Sequence, residues 1–107
     1  MTELDFHILL ALGDGPAHGY AIGKEIDTRS AGRLDPTTGS LYQALKRLTA
    51  GGLVRQVAEP RGTPGDARRK YFALTAAGRA AATEEIRRLE ALVAVGRQRQ
   101  LFRSGAR

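Results

Sequence analysis

Apolar residues recur at helical spacing in four parts of the chain, and Gly- and Pro-rich breaks separate these parts. Side chains three and four residues apart share one face of an α-helix. The pattern therefore predicts four helices, over residues 3–12, 19–29, 37–50 and 75–102. Two short runs rich in β-branched and aromatic residues, 53–58 and 70–74, predict a pair of β-strands. The predicted fold class is α+β, mostly α, and Arg33-Leu34 is a candidate for a further, very short strand.

The third predicted helix is amphipathic and has recognisable ends. Its apolar stripe consists of Leu41, Leu45 and Leu48. Thr37 is the favoured N-cap, with Asp35 as the alternative, because both side chains can accept a hydrogen bond from a free backbone N–H. Gly52 suits the left-handed position after the helix, and Leu53 can then fold back onto the last turn. A polar face should therefore remain on the side away from the leucines.

The first and last helices predict a second subunit. On folding, a chain of 107 residues buries roughly two-thirds of the surface that its unfolded form exposes, so its core is modest. The first helix is apolar around much of its circumference, which is typical of a helix that packs on two sides. The last helix repeats apolar or small residues at coiled-coil spacing: Ala82, Ile86, Leu89, Val93 and Gly96. A long helix on a small domain finds a partner of its own length in a second copy. The predicted homodimer interface consists of Phe6, Leu9, Leu10, Ile86, Leu89 and Val93.

The positive charge is concentrated in the middle and at the end of the chain. Residues 1–32 carry a net charge of −3, residues 33–72 carry +5 and residues 73–107 carry +4, for a total of +6. Such a distribution favours a polyanionic partner. Charge alone leaves open the alternative that the basic residues only keep the surface solvated.

The order helix, helix, helix, strand, loop, strand, helix is that of a winged helix-turn-helix, in which the third helix enters the DNA major groove. The loop over residues 59–69, here called the wing, is Gly- and Pro-rich and carries arginines. Beside a duplex these cations would neutralise phosphates, and Gln, Lys and Arg side chains on the helix can read base edges. The predicted DNA-binding residues are Thr37, Thr38, Gly39, Ser40, Tyr42, Gln43, Lys46, Arg47, Arg61, Arg68, Arg69 and Lys70. The alternative for the helix residues is an ordinary solvated face.

Other classes of function find little support in the sequence. There is no cysteine, no nucleophile–base pair and no phosphate-binding glycine motif, so we expect neither an enzyme nor a cofactor. His7 and His18 form only a weak metal signal, because no further ligands stand at ligand spacing. No run approaches the length of a membrane span, and the apolar stretch near the start lacks a basic segment before it. We therefore expect a cytoplasmic protein that does not enter membranes.

Three segments resemble the PadR family of transcriptional regulators. They are ILLALGDGPAHGYAIGKEI with its HGY motif, TTGSLYQALKRLTAGGLV and RRKYFALTAAGR. The resemblance implies a winged helix domain over residues 1–74 and a C-terminal dimerisation helix and tail over residues 75–107. It also implies that the protein binds a palindromic operator, usually as a repressor that a small molecule releases from the DNA. Some short members hold flat aromatic drugs between tryptophans. This chain has no tryptophan and departs from that mode of binding. Phe6 and Phe102 are the candidate ligand-binding residues for a smaller apolar pocket, and core packing is the alternative role for Phe6.

The sequence thus predicts a ligand-responsive repressor that binds double-stranded DNA as a homodimer. The main alternative is a winged helix that binds another protein, which would need the same leucine core but no basic wing. A weaker alternative is a metal- or ligand-responsive regulator with sites on His7 and His18. Binding to duplex DNA separates the first two hypotheses, and metal-dependent DNA affinity would favour the third.

Overall fold

A computed structural model describes residues 1–60 and 69–102 of the chain. Within these ranges the chain forms four helices and three short strands. In chain order they are α1 (Glu3–Ala11), β1 (Ala17–His18), α2 (Gly19–Arg29), α3 (Thr38–Ala50), β2 (Val54–Val57), β3 (Tyr71–Leu74) and α4 (Ala76–Gln98). The predicted α+β, mostly α class is confirmed, as is the order of the four helices. Most of the wing, including Arg61 and Arg68, lies outside the described residues.

The three strands form one antiparallel sheet in the order β1-β3-β2. On one side of β3, Ala17 and His18 pair with Phe72 and Tyr71, and on the other side β2 pairs along the whole strand. The prediction of a short strand at Arg33-Leu34 was wrong, since the third strand comes directly before α2.

A local hydrogen-bond pattern explains why the segment after α2 does not become a strand. The backbone N–H of Leu34 donates to the Ser30 hydroxyl at 2.9 Å, and that hydroxyl lies 3.2 Å from the Leu34 carbonyl oxygen. Ala31 and Gly32 both have positive φ angles, 55° and 81°. The segment is therefore a closed turn whose backbone groups are already satisfied.

The core lies between α1, α2 and α3 and extends to the inner face of the sheet and the start of α4. Its largest fully buried side chains are Ile8, Leu9, Leu12, Ile22, Ile26, Leu45 and Val54. The leucine stripe of α3 is buried as predicted. One prediction fails here: Leu9 is 0% exposed, so it cannot lie on an interface between subunits. Leu9 shares the inward face of α1 with Asp5 and Leu12, which are four and three residues away.

Both ends of α3 follow the prediction. Thr37 caps the helix, and its hydroxyl accepts the Ser40 N–H at 3.1 Å, so the alternative cap at Asp35 was wrong. At the other end, Gly52 has a φ of 80°. The Leu53 N–H donates to the Leu48 carbonyl at 3.0 Å, which is the hydrogen bond of a Schellman motif.

The last helix, α4, begins at its predicted cap, Thr75, but ends at Gln98 rather than at Phe102. Gln100 takes a left-handed φ of 61°, and the Leu101 N–H donates to the Gly96 carbonyl at 2.9 Å. This second Schellman motif turns the chain back, so that the Phe102 ring packs against Gly96. Within the described residues no helix, α4 included, is both long and apolar enough to cross a membrane.

Candidate nucleic-acid interface

The outward face of α3 is polar and exposed. Leu41, Leu45 and Leu48 point into the core, and five predicted DNA-binding residues on the other side are exposed to solvent. They are Thr38, Gly39, Tyr42, Gln43 and Lys46. The outward face of α3 therefore presents an amide and an ammonium group on a rigid element, which is the arrangement that base-edge recognition requires.

Two further predicted residues, Thr37 and Ser40, belong to the N-cap of α3. The Thr37 hydroxyl accepts the Ser40 N–H, and the Ser40 hydroxyl donates to the Thr37 carbonyl oxygen at 3.1 Å. Both side chains are exposed, yet each already has a hydrogen-bond partner. They stabilise the start of the helix that carries the exposed polar face.

Arg47 has a structural partner that the sequence did not indicate. Its Nη2 donates to Asp5 Oδ1 at 2.6 Å, and the second oxygen of that carboxylate accepts the Thr2 N–H at 3.3 Å. Asp5 is 6% exposed, so removal of Arg47 would leave a buried carboxylate without its cationic partner. The ion pair joins the last turn of α3 to the first turn of α1. Arg47 thus holds the position of α3.

Tyr42 joins the polar face of α3 to the start of α2. Its ring lies edge-on to Phe72, with centroids 6.4 Å apart, while 38% of the residue stays exposed. Its hydroxyl lies over Gly19, where an added Cβ would stand only 2.2 Å from the oxygen. The glycine of the HGY motif therefore makes room for the tyrosine of α3, and Tyr42 both packs against the sheet and stays partly exposed.

His18 caps α2 and connects it to the sheet. Its Nδ1 accepts the Ala21 N–H at 3.2 Å, and its ring meets the Tyr71 ring edge-on at 5.3 Å. Burial, and secondarily the charge of Arg69, lowers the pKa of His18. A neutral imidazole that accepts at Nδ1 carries its proton on Nε2, so the Arg69 guanidinium, 3.3 Å from Nε2, is a close cationic neighbour rather than a donor.

The end of the wing brings two predicted cations to this surface. Arg69 and Lys70 directly precede β3, and both are exposed. Arg69 lies against His18, so it is next to the start of α2. The other two predicted wing residues, Arg61 and Arg68, lie outside the described part of the chain.

Comparison with known proteins identifies the fold. Residues 8–84 match the model of the transcriptional regulator PadR-like family. The chain belongs to this family. It is a family of transcriptional regulators, not of enzymes, and the resemblance noted in the sequence is confirmed.

Two relatives of the PadR-like chain differ in how much of their own length they share with it. A transcriptional regulator of Mycobacterium tuberculosis is 46% identical over 86 residues, which is 80% of this chain and 75% of that protein. A 37.1 kDa protein in transposon TN4556 of Streptomyces fradiae is 50% identical over 72 residues. These residues cover 67% of this chain but 19% of the Streptomyces protein, so the chain matches about a fifth of the length of that relative.

Solved structures agree with the PadR assignment. A PadR family transcription regulator from Clostridium difficile superposes with a TM-score of 0.75 at 26% identity, covering 91% of this chain and 97% of that one. Bacillus subtilis PadR in complex with operator DNA superposes with a TM-score of 0.66 at 24% identity, covering 79% and 47%. The winged helix fold with a long C-terminal helix is thereby confirmed.

In the PadR-like chain the second half of α4 carries an apolar surface. Ile86 is 41% exposed, Leu89 36% and Val93 40%, so three of the predicted interface residues lie uncovered in the single chain. Phe6 and Leu10 on α1 are half-buried. The α4 seam, here meaning Ile86, Leu89 and Val93, is thus available to a partner.

Two other residues of the C-terminal segment differ from what the sequence suggested. Ala82, the first residue of the predicted coiled-coil repeat, is 8% exposed and belongs to the core of its own chain. Phe102 lies beyond the end of α4, where its ring stands 5.3 Å from the Arg97 guanidinium carbon. A ligand site that uses Phe6 and Phe102 remains a prediction.

The two histidines of the PadR-like chain lie in separate surroundings. His7 Nε2 is 3.9 Å from Glu3 Oε2, and its Nδ1 is 3.4 Å from Arg29 Nη1. Burial, followed by the charge of Arg29, lowers the pKa of His7, whereas His18 caps α2. In residues 1–60 and 69–102, no group of three or more His, Asp or Glu side chains is placed to hold a metal ion.

Two exposed residues of α2, Tyr20 and Lys24, were not among the predicted site residues. Tyr20 is 68% exposed, and the Lys24 ammonium stands 5.8 Å from the centre of its ring. Tyr20 stood inside the HGY motif but received no role. The available signal was its position off the apolar face formed by Ile22 and Ile26, which places its ring on the solvent side of α2.

Proposed function

We propose that this PadR-like chain binds double-stranded DNA as a homodimer and represses transcription from a palindromic operator. The observation that carries the proposal is the exposed polar face of α3, with Gln43 and Lys46 on a helix whose other side is fully packed. A Gln amide can pair with adenine, and a Lys ammonium can contact guanine or phosphate. The structure of Bacillus subtilis PadR with operator DNA supports the same use of the fold.

The two parts of the chain take different roles in this proposal. Residues 1–74 form the DNA-binding winged helix, and residues 75–107 supply the dimerisation helix and tail. The α4 seam pairs with its copy in a second chain, aided by Phe6 and Leu10 on α1. The two α3 helices then enter successive major grooves about 34–36 Å apart, while Arg69 and Lys70, with Arg61 and Arg68 of the wing, neutralise flanking phosphates.

We further propose that an effector releases the dimer from DNA. A small molecule that binds more tightly to a dimer with a different separation of its α3 helices would shift the population away from the DNA-binding form. Phe6 and Phe102 are the proposed contacts for such a molecule.

A salt titration on selected duplexes tests DNA binding. Sites are first selected from random duplexes, and the affinity is then measured for the wild type, Lys46→Ala and Arg69→Ala. We expect Lys46→Ala to reduce the preference for the selected site over a scrambled one. Arg69→Ala should weaken binding to both duplexes. It should also make the salt slope, meaning the slope of the logarithm of the binding constant against the logarithm of the salt concentration, shallower by about 0.9 for each subunit, because each subunit loses one phosphate contact.

The control variant is Arg87→Ala, which removes one charge from an exposed position of α4 that is not among the predicted DNA-binding residues. Equal salt slopes for wild type and Arg69→Ala would contradict the proposed phosphate contact. If the wild type binds no duplex even in dilute buffer, the proposal is wrong and the alternative, a winged helix that binds protein, takes its place.

A further inference from the structure

Tyr20 and Lys24, here called the α2 ridge, form a small cationic and aromatic projection on α2. The His18 ring stacks on the Tyr20 ring at 6.4 Å with an angle of 14° between the planes. The Lys24 ammonium stands 5.8 Å from the centre of the same ring. These two contacts restrict the tyrosine ring, although 68% of the residue remains exposed. A side chain fixed in this way loses little rotamer freedom when it binds.

The α2 ridge separates two grooves, and residues expected to face DNA line both. On one side a groove of about 460 Å³ also contains Thr38 and Tyr42 of α3. On the other side a groove of about 560 Å³ also contains His18 and Arg69. Tyr20 and Lys24 line both grooves. The ridge therefore stands between the recognition helix and the base of the wing.

The charges around the α2 ridge favour an anion next to the Tyr20 hydroxyl and the Lys24 ammonium. The neighbouring Glu25 is held in an ion pair by Arg29, one turn further along α2. Asp27 and Asp35 line the groove on the α3 side, whereas Arg69 contributes a cation to the other groove. An anion is thus attracted to the α2 ridge and to the groove that Arg69 lines, and it is repelled from the groove beside α3.

We propose that the α2 ridge binds a backbone phosphate of the duplex. The Tyr20 hydroxyl donates a hydrogen bond to a phosphate oxygen, and the Lys24 ammonium pairs with the same group. This inference rests on the proposed function, because a duplex that contacts α3 and Arg69 at once must pass over the ridge between them. Contacts to phosphate fix the register of a protein on DNA but carry no sequence information.

The experiment compares Tyr20→Phe and Lys24→Gln with the wild type on a selected duplex and on a scrambled duplex, each over a range of salt concentrations. Tyr20→Phe keeps the ring beside His18 and Lys24 and removes only the hydroxyl. We expect it to weaken binding to both duplexes by about tenfold for each subunit, since each subunit loses a hydrogen bond to a charged group. The salt slope should stay unchanged, because no charge has been removed.

Lys24→Gln should give a different result. Binding to both duplexes falls by a similar factor, and the salt slope becomes shallower by about 0.9 per subunit, or about 1.8 per dimer. The matched control is Arg87→Gln, which removes the same charge from an exposed position on α4 and should leave affinity and slope as in the wild type. Thermal unfolding of each variant verifies that the fold is retained.

The outcomes separate this inference from the function on which it rests. If the wild type binds duplexes and both ridge variants match it in affinity and slope, the ridge inference alone is wrong. A loss confined to the selected duplex also overturns it, since that would indicate base reading. If the wild type binds no duplex, the proposed function fails and the inference fails with it.

Discussion

At the scale of single residues, two glycines set how closely the elements approach each other. Gly19 leaves room for the Tyr42 hydroxyl at the start of α2, and Gly78 lets the first turn of α4 lie against the backbone of Leu53. An added Cβ at Gly78 would stand 1.9 Å from the Leu53 carbonyl oxygen. That oxygen also accepts the Thr75 N–H at 3.1 Å, so it cannot easily move away.

Gly78→Ala should therefore destabilise the fold although alanine is the better helix former. We expect the free energy of unfolding to fall by about 2 kcal/mol or more, since the clash is with backbone rather than with a flexible side chain. Gly39→Ala is the matched control, because Gly39 is also helical but has nothing within 4 Å of an added Cβ. It should stabilise the protein by roughly 0.5–1 kcal/mol. Urea unfolding measures both, and a stability of Gly78→Ala equal to the wild type would show that α4 does not pack as described.

The residue pairs also show where sequence reasoning reached its limit. Thr37 and Gly52 were predicted because a helix cap depends on neighbours within a few residues. The ion pair between Asp5 and Arg47 joins residues 42 positions apart, and the contact between His18 and Arg69 spans 51 positions. Such pairs depend on the packing of whole elements. Arg47 was therefore predicted only as a DNA contact and not as the partner of an ion pair that joins α3 to α1.

At the scale of elements, the ends of helices carry much of the local specificity. Among the four helices of the described residues, three are capped by a threonine, at Thr2, Thr37 and Thr75, whereas α2 is capped by the titratable His18. Protonation of Nδ1 would remove the acceptor for the Ala21 N–H and place a second positive charge beside Arg69. The stability of α2 is therefore linked to pH.

The sign of this linkage follows from the lowered pKa of His18. Above about pH 6.5 the histidine is neutral in both the folded and the unfolded chain. As the pH falls below that value, the unfolded chain binds the proton more readily, so the free energy of unfolding decreases. The lowered pKa of His7 acts in the same direction, whereas Glu3, whose pKa Arg33 lowers, titrates below this window.

We expect the wild type to unfold at a lower urea concentration at about pH 5.5 than at about pH 7.5, the two sides of the histidine range. His18→Asn should reduce this difference, because an asparagine side chain can cap the helix without titrating. The remaining difference belongs to His7. An equal loss of stability in the wild type and in His18→Asn would contradict the role assigned to the cap.

The elements that sequence reasoning misplaced are short or lie at an end. The strand at Ala17–His18 has two residues, too few to give a periodic pattern, and its existence depends on pairing with β3. Residues 99–102 continue the apolar pattern of α4 but turn back at Gln100. The longer helices were predicted well because their buried faces repeat over several turns.

At the scale of the whole molecule, one polar surface and one apolar surface lie on different parts of the chain. The polar surface extends from α3 across the α2 ridge to Arg69. The apolar α4 seam lies on the half of the helix beyond Ala82, where the core of the single chain ends. Pairing through the seam would leave the polar surfaces of both subunits free, so that dimerisation and DNA binding can occur together.

The separation of a polar surface from an apolar surface could be predicted from the sequence, because charge and apolar periodicity are both visible along the chain. The sequence could not predict which apolar residues face inward, as Leu9 illustrates, since α1 is apolar on several sides. Exposure of Ile86, Leu89 and Val93 supports the second-subunit hypothesis at those positions. On α1, burial excludes Leu9, and Phe6 and Leu10, which are half-buried, stay predictions.

The measurement that tests the central claim most directly is the mass of the particle that binds one selected duplex, determined by sedimentation equilibrium for the wild type and for Leu89→Glu. The account predicts two chains on each duplex, each of 11.5 kDa, and a free protein of twice that mass. Leu89→Glu, which places a charge in the α4 seam, should sediment as single folded chains and bind the duplex far more weakly. Single chains of the wild type that bind the selected duplex with full affinity would contradict the account.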